Sequence, residues 1–355
     1  MFSAPAVAGE RVFVGSCSGS YYALDARTGA VVWSYDTARD GAAGQFHGDA
    51  LVTDELVIVG SDARPAGHLY ALDRKTGAAR WKLPFAGGVA ADVLQHGDAA
   101  VAVAVSGEVF AVEPASGTPL WHVDAAPEAA RGARTLDAAL AAGRLVVPWR
   151  PGVVDALDAG TGQRLWRRDL GVGLNTGAAV AGNDAWVGAL DGRIYRLNAA
   201  TGEIVASLDT GGTPYGDLVH ASDCILALWA EGDVGGAGSS AGPHVVACLE
   251  LTLGRVRWRF ESPAEWGTFS PLVRDREVVV GSQGLLVALG LADGRARWRR
   301  GVRGLPRGLA ATGDTLYVGT LEGPVLALPW EPAGAATPSA DGDTTEGYRS
   351  SSTPR

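Results

Sequence analysis

Four aspartates, Asp49, Asp92, Asp137 and Asp217, are the residues whose spacing most invites a chemical reading. When the chain's internal repeats are aligned on their glycines, Asp49, Asp92 and Asp217 share one repeat position with Ala4 and Ser270. That position starts a short apolar strand, and Asp137 falls at or beside it. Carboxylates ringing one opening could concentrate cations or basic ligands by focusing the local potential. The competing reading is that each Asp caps a neighbouring loop by accepting backbone hydrogen bonds. If the opening binds a ligand, the residues just upstream, His47, Thr135, Asn175, Tyr215 and Thr268, line it together with Ser270.

The other reactive types organise less. His47, His68, His96, His122, His220 and His244 are scattered over different repeats without an H-x-x-x-H metal spacing. Cys17, Cys224 and Cys248 are far apart and odd in number, which predicts three free, buried or half-buried small apolar residues. No G-x-S-x-G elbow occurs, and "VGGAGSS" lacks the lysine of a phosphate loop, so it reads as linker.

The elements that would position these residues are announced by repetition. "LDARTGAVVW" (24–33) returns as "LDRKTGAARW" (72–81), "VEPASGTPLW" (112–121) and "LDAGTGQRLW" (157–166). Looser copies are "LNAATGEIVA" (197–206), "LELTLGRVRW" (249–258) and "LGLADGRARW" (289–298). A period in this range marks a propeller or solenoid. Alternating short strands precede each copy and leave no room for amphipathic helices, so the class is all-β. In each copy the Asp accepts from the turn backbone, the Thr adds a hydroxyl, and the Gly takes a positive φ. Trp33, Trp81, Trp121, Trp166, Trp258 and Trp298 then project from one radial position to dock each sheet on the next. Trp149, Trp186, Trp229, Trp266 and Trp330 lie elsewhere in the repeat. Trp149 and Trp229 either pack on a neighbouring blade or are partly exposed to a partner.

An eighth unit, 308–330, supplies three strands and stops. The predicted architecture is an eight-bladed propeller over residues 1–330 with an incomplete last blade. Residues 331–355, rich in Pro, Ser, Thr and Gly, read as a disordered tail. The segment 231–244 reads as a mobile loop in the sixth blade, and "DARPAG" (62–67) as a smaller insertion at the matching place in the second. With 355 residues and a formal net charge of -9, the chain has no basic face for nucleic acid. It has no apolar run long enough to span a membrane as a helix, and its opening "MFSAPAVAGERVFVGS" carries no legible secretory signal.

With its "ALDA-x-TG-x-x-x-W" pattern at Ala23–Trp33 and six tryptophan-bearing copies, the chain resembles the pyrroloquinoline-quinone-type propeller repeat over about residues 3–330. That repeat occurs in quinone-dependent alcohol dehydrogenases, in the scaffold lipoprotein of the outer-membrane β-barrel assembly machine, and in sensor domains of bacterial serine/threonine kinases. The resemblance implies an extracytoplasmic or membrane-associated setting. The dehydrogenases it points to add an adjacent cysteine pair, a calcium held by Glu, Asn and Asp, and a catalytic aspartate; no two cysteines are adjacent here.

The expectation is a monomeric, non-catalytic interaction or sensing module without a cofactor. It would bind a protein segment or small ligand at a blade edge or at the channel mouth. The alternatives are a dehydrogenase using pyrroloquinoline quinone and calcium, and the sensor part of a kinase.

Overall fold

Short apolar strands separated by Asp and Gly turns can bury their faces only by stacking sheet on sheet, and they do so here. The computed structural model describes residues 3–41, 44–124, 136–232 and 242–331, with the backbone alone at 64 and 65. Blade 1 consists of Ala6–Ala8, Arg11–Gly15, Ser20–Asp25 and Val31–Asp36, antiparallel and paired in chain order from the channel outwards. Five further four-stranded blades repeat that order, and blade 6 repeats it with the short strand Thr176–Gly177 added parallel to its innermost strand. The eighth, Pro306–Thr312, Thr315–Thr320 and Val325–Pro329, has three strands. The ring closes where Gly308 of blade 8 lies so near Ser3 and Ala4 that a Cβ would collide with their backbone.

The core is eight apolar clusters, one between each pair of adjacent blades. The repeated turn builds each seam. Asp25 Oδ1 accepts from the backbone of Arg27 (3.2 Å) and Thr28 (2.8 Å) and from the Thr28 hydroxyl (2.7 Å), while Gly29 sits at φ 71°. In the next blade the same turn exposes a carbonyl and a bare glycine, and an indole from the preceding blade takes both. Trp33 donates its Nε1–H to Arg74 O (3.0 Å), Trp81 to Pro114 O (2.8 Å) and Trp121 to Ala159 O (3.0 Å). Trp166 donates to Ala199 O (2.8 Å) and Trp258 to Leu291 O (2.7 Å). Their rings cover Gly77, Gly117, Gly162, Gly202 and Gly294, all buried. Each such ring stabilises its seam by about 1.5–3 kcal/mol of apolar burial.

Trp298, the sixth repeat tryptophan, is buried differently. It packs edge-on against Trp330, which holds in blade 8 the turn position that Ala26 holds in blade 1, with centroids 6.3 Å apart. Trp330 is tied down by Glu277 (2.7 Å) and by the Arg274 guanidinium 4.6 Å from its ring.

Two seams have no outer-strand tryptophan, and an aromatic residue of the second strand replaces it. In blade 5, where Ala206 stands at the repeat position, Trp186 donates to Leu251 O of blade 6 (3.2 Å). In blade 8, Tyr317, which occupies the same strand position, reaches Ala26 O of blade 1 at 3.5 Å.

Several sequence expectations are corrected. Cys224 and Cys248 are buried, but as a disulfide joining neighbouring strands of blade 6 (Cα–Cα 5.7 Å) and not as free thiols; only Cys17 is free. Their sequence separation hides the pairing, because it is antiparallel register that sets Cys248 diagonally across from Cys224, two positions from its partner Glu250. Of the two readings of Trp149 and Trp229, packing is the one observed: both are buried, Trp149 donating to Asp155 (2.9 Å). The "DARPAG" insertion forms the start of the third strand of blade 2, Asp62–Asp73, against Ala79–Gly88, with a register shift between Asp62 and Ala66. Most of the 231–244 loop and of the 331–355 tail lies outside the described residues. Among the described residues no helix is long and apolar enough to cross a membrane.

Candidate functional site

The inner strands begin at one mouth of the channel, and the repeat position of the aspartates falls there. His47, Asp49, Asp92, Asp137, Asn175, Tyr215, Asp217 and Ser270 all line a single cavity of about 680 Å³. Thr268 does not; it is fully buried behind the wall, its hydroxyl accepting from Gly281 N (3.1 Å). Thr135 lies outside the described residues.

The carboxylates are linked blade to blade. Asp49 Oδ1 accepts from Ala4 N (2.5 Å), Asp92 Oδ1 from Asp49 N (2.6 Å), and Asp137 Oδ1 from Asp92 N (3.1 Å). Each of these carboxylates thus caps the segment just ahead of the preceding blade's innermost strand, at the same repeat position. Blade 5 has Gly177 at this position. A side chain there would collide with Asp217, and in its absence the carboxyls of Asp217 and Asp137 hydrogen-bond to each other. Such a bond requires a proton on one partner.

Each of the four aspartates is partly buried in the channel wall. Burial, and then the neighbouring carboxylates, push Asp49 and Asp217 well above the usual range. Burial raises Asp92 as well, and burial with the charge of Asp92 holds Asp137 at about 8. At neutral pH the belt therefore shares protons and projects less negative field than four full charges would.

The remaining lining mixes apolar residues such as Val105, Leu136 and Phe269 with polar ones held in place. His47 Nδ1 lies 3.1 Å from Asp62, Asn175 donates to Pro214 O (2.8 Å), and the Tyr215 hydroxyl meets His244 Nδ1 (3.2 Å). Two arginines absent from the sequence reading, Arg150 and Arg307, also line the cavity. Arg307 donates to Gly267 O (3.3 Å) and stands 4.9 Å from the Phe269 ring. Arg307 lies just upstream of Gly308, the blade 8 member of the aspartate position, so the alignment could have found it. Arg150 follows a second strand, where nothing in the repeat points at the channel.

A second feature is the outer side of Val325–Pro329. The pairing of Thr320 N with Pro324 O and of Trp330 N with Asp314 O sets the ladder phase. Leu326 and Leu328 therefore bond inward, and Val325, Ala327 and Pro329 turn their backbone groups outward. Arg300 takes Pro329 O (2.7 Å). No strand among the described residues pairs with Val325 or Ala327 on that side.

Residues 1–64, 47–149 and 150–314 match the family model described as outer membrane protein assembly factor BamB. The chain belongs to that family. It is similar to BamB from Moraxella catarrhalis, at 21% identity and a TM-score of 0.68, over 91% of this chain and 92% of that one. A computationally designed protein, Ika8, is 17% identical with a TM-score of 0.73, over 92% of this chain and 96% of its own. At these identities the likeness is one of fold. A stretch of 119 residues is 30% identical to quinohemoprotein alcohol dehydrogenase ADH IIB of Pseudomonas putida; it is 30% of this chain and only 17% of that enzyme.

The carboxylates of the mouth are not arranged to hold a calcium ion. Calcium takes six to eight oxygens around one point, whereas Asp49, Asp92 and Asp137 spend an oxygen each on a backbone N–H of the adjacent blade. Among the described residues no three acidic, histidine or cysteine side chains are grouped to hold a metal.

Proposed function

We propose that the protein is a non-catalytic, monomeric interaction module that captures an extended polypeptide by strand addition at the outer edge of blade 8. The observation that carries this reading is the outward-facing backbone of Val325 and Ala327, unpaired among the described residues while the third strand of every other blade is covered. An exposed edge is a template for another chain, and proteins ordinarily cover or blunt it. Membership of the BamB family supports a scaffold role. The Cys224–Cys248 bond suits an oxidising, extracytoplasmic setting.

Amide exchange on the full chain tests the reading. A bound strand-forming peptide slows exchange at Val325 and Ala327, and Ala327→Pro, which removes an outward N–H, abolishes binding. Undiminished binding by a folded Ala327→Pro protein would overturn it. The non-catalytic part is checked by adding pyrroloquinoline quinone, calcium and a dye acceptor with a panel of alcohols and sugars. No dye reduction is expected, and reduction would return the dehydrogenase reading.

A further inference from the structure

Cys17, His47 and Asp62 stand in a row beside the channel mouth, an order that neither blade packing nor strand capture requires. Cys17, the free and half-buried cysteine, lies in the turn between the second and third strands of blade 1. His47 precedes the innermost strand of blade 2, and Asp62 opens that blade's third strand. Cys17 Sγ is 3.9 Å from His47 Nε2, and His47 Nδ1 is 3.1 Å from Asp62 Oδ1. His47 and Asp62 line the cavity and are partly exposed to it.

Backbone pairing sets this row. Phe46 N donates to Ser16 O (3.4 Å), which ties the segment of His47 to the turn of Cys17. That approach needs Gly15, where a Cβ would collide with Phe46, and the Phe46 ring is then locked, fully buried, against Tyr21. Gln45 and Asp62 exchange both backbone hydrogen bonds, 2.9 Å each, which ties the same segment to Asp62. The two nitrogens of the imidazole face opposite neighbours, so the three side chains do not close around one metal ion. Theirs is the sequence of a nucleophile, a base and the carboxylate that orients the base.

The surrounding turn selects the electrophile. Acyl transfer needs N–H donors aimed at the developing oxyanion. The two N–H groups that follow Cys17 are spent inside the turn, Ser18 N on Ser16 Oγ (3.1 Å) and Gly19 N on Ser16 O (3.3 Å). Exchange with a disulfide needs no such donors, because the charge passes from sulfur to sulfur. The other two cysteines of the chain are already joined in a disulfide.

We propose that Cys17 is a nucleophile that exchanges with a small disulfide, with His47 as its base and Asp62 as the residue that positions the base. Asp62 Oδ1 is buried and accepts no hydrogen bond at rest; it receives Nδ1–H as the ring turns, a contact that tightens when the reagent arrives. Nε2 takes the proton of the Cys17 thiol. The sulfur attacks one sulfur of the reagent, the reagent's S–S bond breaks as the new S–S bond forms, and the departing thiolate collects the proton from His47. One thiol and one disulfide become another thiol and another disulfide, with no net oxidation. The event is stoichiometric and leaves a small thiol held covalently and reversibly beside the mouth. It is independent of strand capture at blade 8.

The test uses the full chain and 2,2′-dithiodipyridine, a neutral disulfide whose approach the charges of the mouth do not bias, with release of pyridine-2-thione followed by absorbance at pH 7. The wild type releases a first equivalent about ten-fold or more faster than free cysteine, and Cys17→Ser releases none. His47→Gln slows release about ten-fold or more while the melting temperature holds. His47→Gly is slowed as much, and added imidazole restores its rate, which a merely structural role would not allow. Asp62→Asn slows release and Asp62→Glu recovers it. A wild-type rate no faster than free cysteine, or a folded His47→Gln protein as fast as the wild type, overturns the proposal. Release that persists in Cys17→Ser overturns the assignment to Cys17.

Discussion

Trp186→Ala is the perturbation that most directly probes how the ring is held. Trp186 is fully buried in the cluster between blades 5 and 6, among Ile225, Ala227, Val245 and Leu253, and it lies nearly parallel to His220. It is the residue that donates to Leu251 O, because Ala206 cannot. Removing a fully buried indole costs about 3–5 kcal/mol, of which the orphaned carbonyl accounts for about 1 kcal/mol. Unfolding entropy of about 2 cal/mol/K per residue gives a chain of this size about 0.7 kcal/mol/K, so the melting temperature falls by about 4–7 °C. Scanning calorimetry reads this directly. Ala206→Trp supplies the companion measurement: it brings no gain, since Trp186 holds the carbonyl and the Leu253 side chain fills the seat. A loss below about 1 kcal/mol for Trp186→Ala, the scale of an ordinary surface change, would show that the second-strand indole does not bear the seam.

The carboxylate belt predicts a pH dependence of definite sign. Asp137 is held at about 8, above its unfolded value, so the folded state binds that proton more tightly. Its contribution to stability is complete below about pH 4 and is lost as pH rises through about 8. Melting temperatures taken at pH 5, 7 and 9 should fall with pH. Asp137→Asn, which keeps an acceptor for Asp92 N, should flatten that slope; a wild-type curve that rises with pH would contradict the argument. The cysteines predict a count: alkylation of the native protein labels Cys17 alone, and denaturation with reductant exposes all three. Opening the 24-residue loop closed by Cys224 and Cys248 costs about 3 kcal/mol in thermal or urea unfolding.

What could be read from the sequence is what a few neighbouring residues determine together. Asp25, Thr28 and Gly29 make their turn within five positions, so the motif can be recognised wherever it recurs. Trp33 and its equivalents follow at a constant offset, and counting the copies yields the blade number and the missing last strand. The same alignment placed Asp49, Asp92, Asp137 and Asp217 at one mouth, since a repeat position is a radial position. Contacts that cross a seam join residues some 33 to 65 apart, or ends of the chain 291 apart, and carry no local signature. Trp186 and Tyr317 could be assigned only once the second strand was seen to reach across. The Cys224–Cys248 bond depends on antiparallel register, and the shared protons of the belt depend on burial and on Gly177 letting Asp137 meet Asp217. Gly29 reads like every other turn glycine in the sequence. Its open face follows from the absence of an outer strand on the blade beside it, which the ring alone makes its neighbour.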